Sequence, residues 1–211
     1  MNRLPSTVRQ LIAALRGLLL FTVICGIIYP VVVFGIAQGA FHHQANGSLV
    51  SYHGRVVGSS LLCQEFVNAK GSPLPQYFQP RPSSATSGAA NDIGCDPGFS
   101  AASNLGPNNP KLVQEIKQRQ QQIEAFDHVK VSAIPPDAVT ASASGLDPYI
   151  SPQNAAIQLN RVAAARGVSP AAVEALVQEN THGRTIGFLG EPRVNVLNLN
   201  IALDEKYPVS S

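Results

Sequence analysis

Between Arg16 and Arg55 the chain has no Lys, Arg, Asp or Glu, and within that interval Gly17–Phe41 reads GLLLFTVICGIIYPVVVFGIAQGAF. Only Thr22 and Gln38 are clearly polar there. A soluble core helix seldom needs so unbroken an apolar run, whereas about 21 helical residues cross the ~30 Å hydrocarbon core of a bilayer. Residues 17–38 are therefore read as a transmembrane helix. The competing reading is a cleaved secretory signal, with Ala37-Gln38-Gly39 as its small-x-small site. The run exceeds the ~7–15 apolar residues of a signal core, which favours a retained anchor. Pro30 removes a backbone donor inside the span and predicts a kink. Gly35 and Gly39 form a G-x-x-x-G pair, a helix-packing face in the membrane; ordinary glycine frequency in such helices accounts for one pair equally well.

Charge sets the expected orientation. Arg3, Arg9 and Arg16 precede the span, and no acid occurs before Glu65. The positive-inside rule places residues 1–16 in the cytoplasm as a basic N-terminus and residues 42–211 on the other side as an exported domain. From His42 onward, 12 basic residues meet 13 acidic ones, a net of −1. So neutral a domain lacks the basic patch that nucleic-acid binding requires. With 45% hydrophobic residues the 211-residue chain is too apolar for intrinsic disorder, and 3 Cys are too few for a disulfide scaffold.

The expected fold class is α+β: one N-terminal transmembrane helix followed by a single mixed exported domain. In Gln44–Phe66, the pairs Leu49-Val50, Val56-Val57 and Leu61-Leu62 alternate with turn formers and predict two or three short strands. Asn68–Asn109 is rich in Pro, Gly, Ser and Asn and reads as a long irregular surface. Asn109-Pro110 opens a helix whose stripe is Leu112, Val113, Ile116, Ile123 and Phe126, expected to cover a sheet. Val129 and Val131 predict a short strand ended by Pro135-Pro136. Ser151-Pro152 and Ser169-Pro170 open two helices, closed by Gly167 and Asn180. The last segment, PRVNVLNLNIALD, fits either period, and Pro192 as a helix start favours helix.

Chemistry-bearing motifs are sparse. The sequence has no G-x-x-x-x-G-K-[ST], no G-x-G-x-x-G, no Asp-Lys-Thr-Gly, no HExxH, no CxxC and no G-x-S-x-G. Gly187-Phe188-Leu189-Gly190 has too few glycines to cradle phosphate. His42 and His43 are adjacent and point apart on a helix, so no metal site is expected. No catalytic residue is assigned. Val162–Gln178 imitates a DNA-reading helix-turn-helix, but its second helix carries Glu174 and Glu179 and no Lys or Arg. It reads instead as a packed hairpin with Val162, Val173, Leu176 and Val177 in the core. Cys63 and Cys95 both fall in the exported part, where disulfides persist, and are predicted to pair; two separate buried thiols are the alternative.

Several strings occur in one order: QANGSL (Gln44–Leu49), GSSLLCQEF (Gly58–Phe66), YFQPRPS (Tyr77–Ser83), SNLGPNNP (Ser103–Pro110), VTASASGLDP (Val139–Pro148), SPQNAAIQLNRVAAARGVS and GEPRVNVLNLNIALD. With the single N-terminal span, they resemble the C subunit of Kdp-type potassium-transporting ATPases, from Gln10 to Asp204. Cys63, where that pattern usually has Gly, and the stretch around Cys95 depart from it. The resemblance implies a non-catalytic subunit of a high-affinity, ATP-driven potassium importer in the bacterial cytoplasmic membrane. Its implied partners are a potassium-binding channel-like subunit, a P-type ATPase subunit and a small single-span subunit. It also implies a catalytic chaperone that raises the ATP affinity of the ATPase subunit through a ternary complex, with no intrinsic cofactor. The segment Ser142, Ser144, Gly145 and Asp147 could then offer backbone N–H groups to nucleotide or touch a partner; a tight turn before a helix explains it as well. An exported domain cannot reach cytoplasmic ATP, so assembly and gating are the favoured role. The other classes carried are a membrane-tethered helix-turn-helix regulator and a secreted hydrolase released by signal cleavage.

Overall fold

The computed structural model describes residues 5–88 and 93–209. The chain divides into two units at Ser48/Leu49. In the first, α1 (Ser6–Val23), a π-helical turn (Ile24–Ile28) and α2 (Tyr29–Ala40) run on as one helix of 35 residues, with no described residue buried. Its best window has a mean hydropathy of 2.6 and could cross a bilayer by length and composition. The helix starts at Ser6 because Leu11–Leu15 are good helix formers with no breaker before Gly17. Pro30 is accommodated by the π turn directly ahead of it. That turn loosens the ladder where the ring would strike the Gly26 carbonyl and where Pro30 has no N–H to give. Phe41, at φ −133°, breaks the helix before the single turn α3 (His42–Ala45).

The second unit opens with an antiparallel hairpin, β1 (Leu49–Tyr52) and β2 (Arg55–Ser59). His53 and Gly54 turn it with φ of 48° and 75°, matching the twist of the strands. Leu61-Leu62 lies in a turn and adds no third strand. No helix and no regular strand follows until Asn109 among the described residues. Helix α4 (Pro110–Asp127) begins where the Asn109 side chain accepts from the Lys111 amide at 2.9 Å. Its stripe packs on a helix, α6, rather than on a sheet, and Val113 is exposed. The strand expected at Val129–Ser132 is absent. With no partner strand beside it, Val131–Ala133 closes a 3-10 turn leading into α5 (Pro136–Val139).

Helices α6 (Pro152–Arg166) and α7 (Pro170–Glu179) start at the two Ser-Pro pairs, each serine accepting from an amide in the first turn. Gly167, at φ 65°, ends α6 with paired bonds from Gly167 and Val168 back to Ala164 and Ala163. The final segment divides. Arg193–Asn195 is strand β5, paired antiparallel to β3 (Tyr149–Ile150) on one side and β4 (Thr181–His182) on the other. The helix expected from Pro192 begins only at Val196, as α8 (Val196–Lys206), because the Asn195 side chain supplies the cap. The central sheet and the α6–α7 hairpin share one core, in which Phe78, Ile150, Val162, Val173, Leu199 and Leu203 are nearly or fully buried.

Phe78 comes from the irregular segment, and its burial needs an explanation, since buried backbone must find partners. Side chains supply them. Asn200 of α8 accepts from the Phe78 amide and donates to the Phe78 carbonyl, both at 2.9 Å. Gln158 of α6 does the same for Gln79, at 2.7 and 3.2 Å. Two side-chain amides thus replace a neighbouring strand.

Candidate functional site

Three arrangements are candidates, and each has to be built from its residues. The first is a ladder of buried arginines on α6. Arg161 donates to the carbonyls of Pro75 and Tyr77 at 2.7 and 2.9 Å, to Gln158 at 2.8 Å and to Asp127 at 2.7 Å. Arg166, one and a half turns on, donates to the carbonyls of Gln76 and Tyr207 and to Asp204 at 2.7–2.8 Å. Both stack on rings, Arg161 on Phe126 and Arg166 on Tyr77. Burial pushes the Asp127 carboxyl up and Arg161 pulls it back; burial likewise lowers Arg161, with Asp127 opposing. Burial and neighbouring Asp204 raise the Tyr77 hydroxyl, which donates to Asp204 at 3.1 Å. Every donor named is directed at the protein's own backbone, its acids or Gln158, so the ladder holds segment 75–79 in place. The sequence reading missed it, because Asp127 and Arg161 are 34 residues apart. The local signal is that polar and charged residues, Asn154, Gln158, Arg161 and Arg166, share the buried side of α6 with Ala155, Val162 and Ala163.

The second arrangement is the turn at Ser142–Asp147. Its residues lie together and serve as a junction of three chain segments. The Gly145 amide bonds to the Ser142 carbonyl at 3.3 Å, and the Leu146 amide to Ser144 Oγ at 3.1 Å. Carbonyls of the turn accept from outside: Ser144 from Ala101 at 3.0 Å, Gly145 from Ser83 Oγ at 2.6 Å, Leu146 from Cys63 at 3.0 Å. Asp147 accepts from Arg81 at 3.0 Å and from the Tyr149 amide at 3.0 Å. Gly145 has φ +71°, and a Cβ there would lie 2.5 Å from the Ala101 carbonyl oxygen. A phosphate cradle needs convergent free amides. Here the Gly145 and Leu146 amides close the turn, an arrangement that does not fit one. Cys63 and Cys95 form a disulfide beside this junction, their Cα atoms 5.4 Å apart and 32 residues apart in sequence. Cys25 is free and exposed.

The third is a cleft of about 570 Å³ between segment 65–82 and α4, bordered by Glu65, Gln79, Arg119, Gln122 and Phe126. Arg119 donates to the Val139 carbonyl at 3.0 Å and to Glu115 at 3.3 Å. No group of three or more His, Cys, Asp or Glu able to hold a metal occurs among the described residues. In the first unit, a Cβ on Gly35 or Gly39 would meet nothing within 4 Å, so both present open helix surface.

The family model KdpC, "K+-transporting ATPase, c chain", matches residues 11–205. The chain belongs to the KdpC family. A Geobacter sulfurreducens protein named potassium-transporting ATPase KdpC subunit is 46% identical over 202 residues, covering 95% of this chain and 100% of the relative. The protein of that name from Sorangium cellulosum is 49% identical over 191 residues, 90% of this chain and 95% of its own. That from Mycobacterium bovis BCG is 47% identical over 197 residues, 93% and 98%. The KdpC match therefore takes in the apolar helix from Leu11, the arginine ladder, the Ser142–Asp147 turn and α8 alike.

Proposed function

We propose that this KdpC chain is a membrane-anchored, non-catalytic subunit of an ATP-driven potassium importer, acting in assembly and gating. The observation that carries it is the similarity along residues 11–205 to potassium-transporting ATPase KdpC subunits. The apolar helix anchors the chain in the bacterial cytoplasmic membrane, with Arg3, Arg9 and Arg16 inside and the domain outside. The disulfide between Cys63 and Cys95 supports that side, since such bonds persist in oxidising compartments. The partners are a potassium-binding channel-like subunit, a P-type ATPase subunit and a small single-span subunit. Gly35 and Gly39 offer a close-approach face to one of their helices, and the domain covers the outer mouth of the channel-like subunit.

Acting as a catalytic chaperone is part of this proposal, by an indirect route. An exported domain raises ATP affinity only as a coupling free energy through the partner subunits, typically ~1–3 kcal/mol. The commitment of the Gly145 and Leu146 amides to their own turn supports the indirect route. The helix-turn-helix alternative is disfavoured by charge: the face of the second helix left exposed carries Glu174 and Glu179 and no Lys or Arg.

A reporter active only outside the cytoplasm, fused after Ser211, tests the placement. Activity is expected. Inactivity, with a matched cytoplasmic reporter active, overturns it and brings the Ser142–Asp147 turn within reach of nucleotide. Removing residues 49–211 while keeping the span tests the role. Loss of assembly or transport is expected, and unchanged assembly and transport would defeat it.

A further inference from the structure

Residues 183–192 link β4 to β5. Thr185 and Leu189 exchange backbone hydrogen bonds at 2.9 and 3.0 Å, and the Gly187 amide bonds to the Arg184 carbonyl at 3.1 Å. The result is a tight closed hairpin. Its tip is apolar and faces solvent: Ile186 is 72% exposed, Phe188 68% and Leu189 51%. Ile186 sits at φ +49°, a backbone region that Gly or Asn takes and a β-branched residue does not. For folding alone, the position calls for a different residue. Such strain persists where the side chain displayed is itself needed, and clustered exposed apolar side chains mark interaction sites.

The base of the hairpin supplies a second, independent observation. Arg184 and Glu191 close it with an ion pair at 2.7 Å. Beside them lies a shallow cleft of about 400 Å³ bordered by Arg81, Asp137, Asp147, Tyr149, Glu191 and Arg193. Its acids have partners: Asp137 takes Ser151 and Asn154, Asp147 takes Arg81, and Glu191 takes Arg184. Its arginines do not have all of theirs. Among the described residues, two buried side-chain polar atoms lack a hydrogen-bond partner, Arg81 Nε and Arg193 Nε, and both border this cleft. The Arg193 guanidinium rests on the Tyr149 ring at 4.8 Å. A buried donor left without an acceptor calls for one, and the Nε side of a guanidinium is the fork that a carboxylate fills with two bonds.

We propose that the Thr185–Leu189 hairpin and the Arg193 cleft form one docking surface for a partner subunit of the complex. The apolar tip enters an apolar pocket, and a carboxylate on the rim of that pocket pairs with Arg193 as its head group moves off Tyr149. This rests on the assembly role proposed above. The charge pattern favours a protein over a lipid surface, because Glu191 neutralises Arg184 beside the tip and the remaining cation, Arg193, is half-buried in the cleft rather than set out as the exposed basic cluster that draws anionic headgroups. A second copy of this chain fits poorly, since two convex tips cannot bury one another.

The test uses the full chain in the intact complex. A photoreactive phenylalanine analogue at Phe188, irradiated in membranes, is expected to give an adduct with another subunit of the complex, identified by mass spectrometry. Adducts only with lipid or with a second copy, or no adduct, overturn the proposal. Ile186→Asn separates docking from folding, because Asn tolerates the left-handed conformation. The expected result is an unchanged or higher unfolding midpoint with at least a tenfold weaker association. Unchanged association, or a midpoint that falls with it, overturns the proposal. Arg193→Gln is expected to weaken association further at low salt than at high salt. If the chain without residues 49–211 still assembles, the assembly role itself has failed. If that deletion abolishes assembly while Ile186→Asn and Phe188→Ser do not, only the docking surface has failed.

Discussion

Single residues in this domain hold backbone that no strand or helix holds. Asn200 and Gln158 clasp Phe78 and Gln79, and Arg161 and Arg166 gather the carbonyls of residues 75–77. Arg161→Leu leaves Asp127 buried without its partner, and chemical denaturation of the full chain in detergent should show a loss of ~3–5 kcal/mol. Replacing Arg161 and Asp127 together by apolar residues should cost markedly less, a difference a double-mutant cycle measures. Tyr77 gives a pH dependence. Its folded hydroxyl titrates above the ordinary 10.0, so the folded state favours the neutral form. The stabilisation is complete below pH 10.0 and is lost as pH rises through the folded value. Tyr77→Phe should flatten the alkaline limb of the stability profile above that pH, and an unaltered limb would refute the assignment. None of these contacts was legible in sequence. They join positions such as 77 and 204, which no local window brings together.

Local capping chemistry made the helices starting at Pro110, Pro152 and Pro170 legible, because cap and first turn lie within four residues of each other in sequence. Elements that depend on a distant neighbour were not. Val129–Ser132 alternates correctly for a strand yet has none beside it to pair with. Arg193–Asn195 opens a segment that fits either period, and it becomes the central strand because Tyr149–Ile150 and Thr181–His182 flank it. The apolar helix makes a prediction at the same scale. Gly35→Leu with Gly39→Leu adds side chains at two positions where a Cβ would meet nothing within 4 Å. Denaturation of the domain should be unchanged while co-purification with the other subunits falls; unaltered co-purification would remove that helix face from the interface. The apolar hairpin at 185–189 did leave a signal, RTIGFLG. As a phosphate loop it has too few glycines, and sequence alone does not show that its three apolar side chains face solvent.

For the molecule as a whole, the disulfide tests both fold and placement. Denatured, unreduced protein should show one reactive thiol, Cys25, and three would contradict the pairing. Cys63→Ser with Cys95→Ser should lower stability by about 3–4 kcal/mol, as expected for opening a loop of this length. The bond also orders events in time. If the domain lies outside, as proposed, its polypeptide would cross the bilayer before the two sulfurs can be oxidised. The Ser142–Asp147 junction, which meets Cys63 from one direction and the Cys95 segment from another, can be fastened only after arrival. The mature fold would then keep a chemical record of the crossing. A chain held back in a reducing cytoplasm would reach the same contacts without that final stitch.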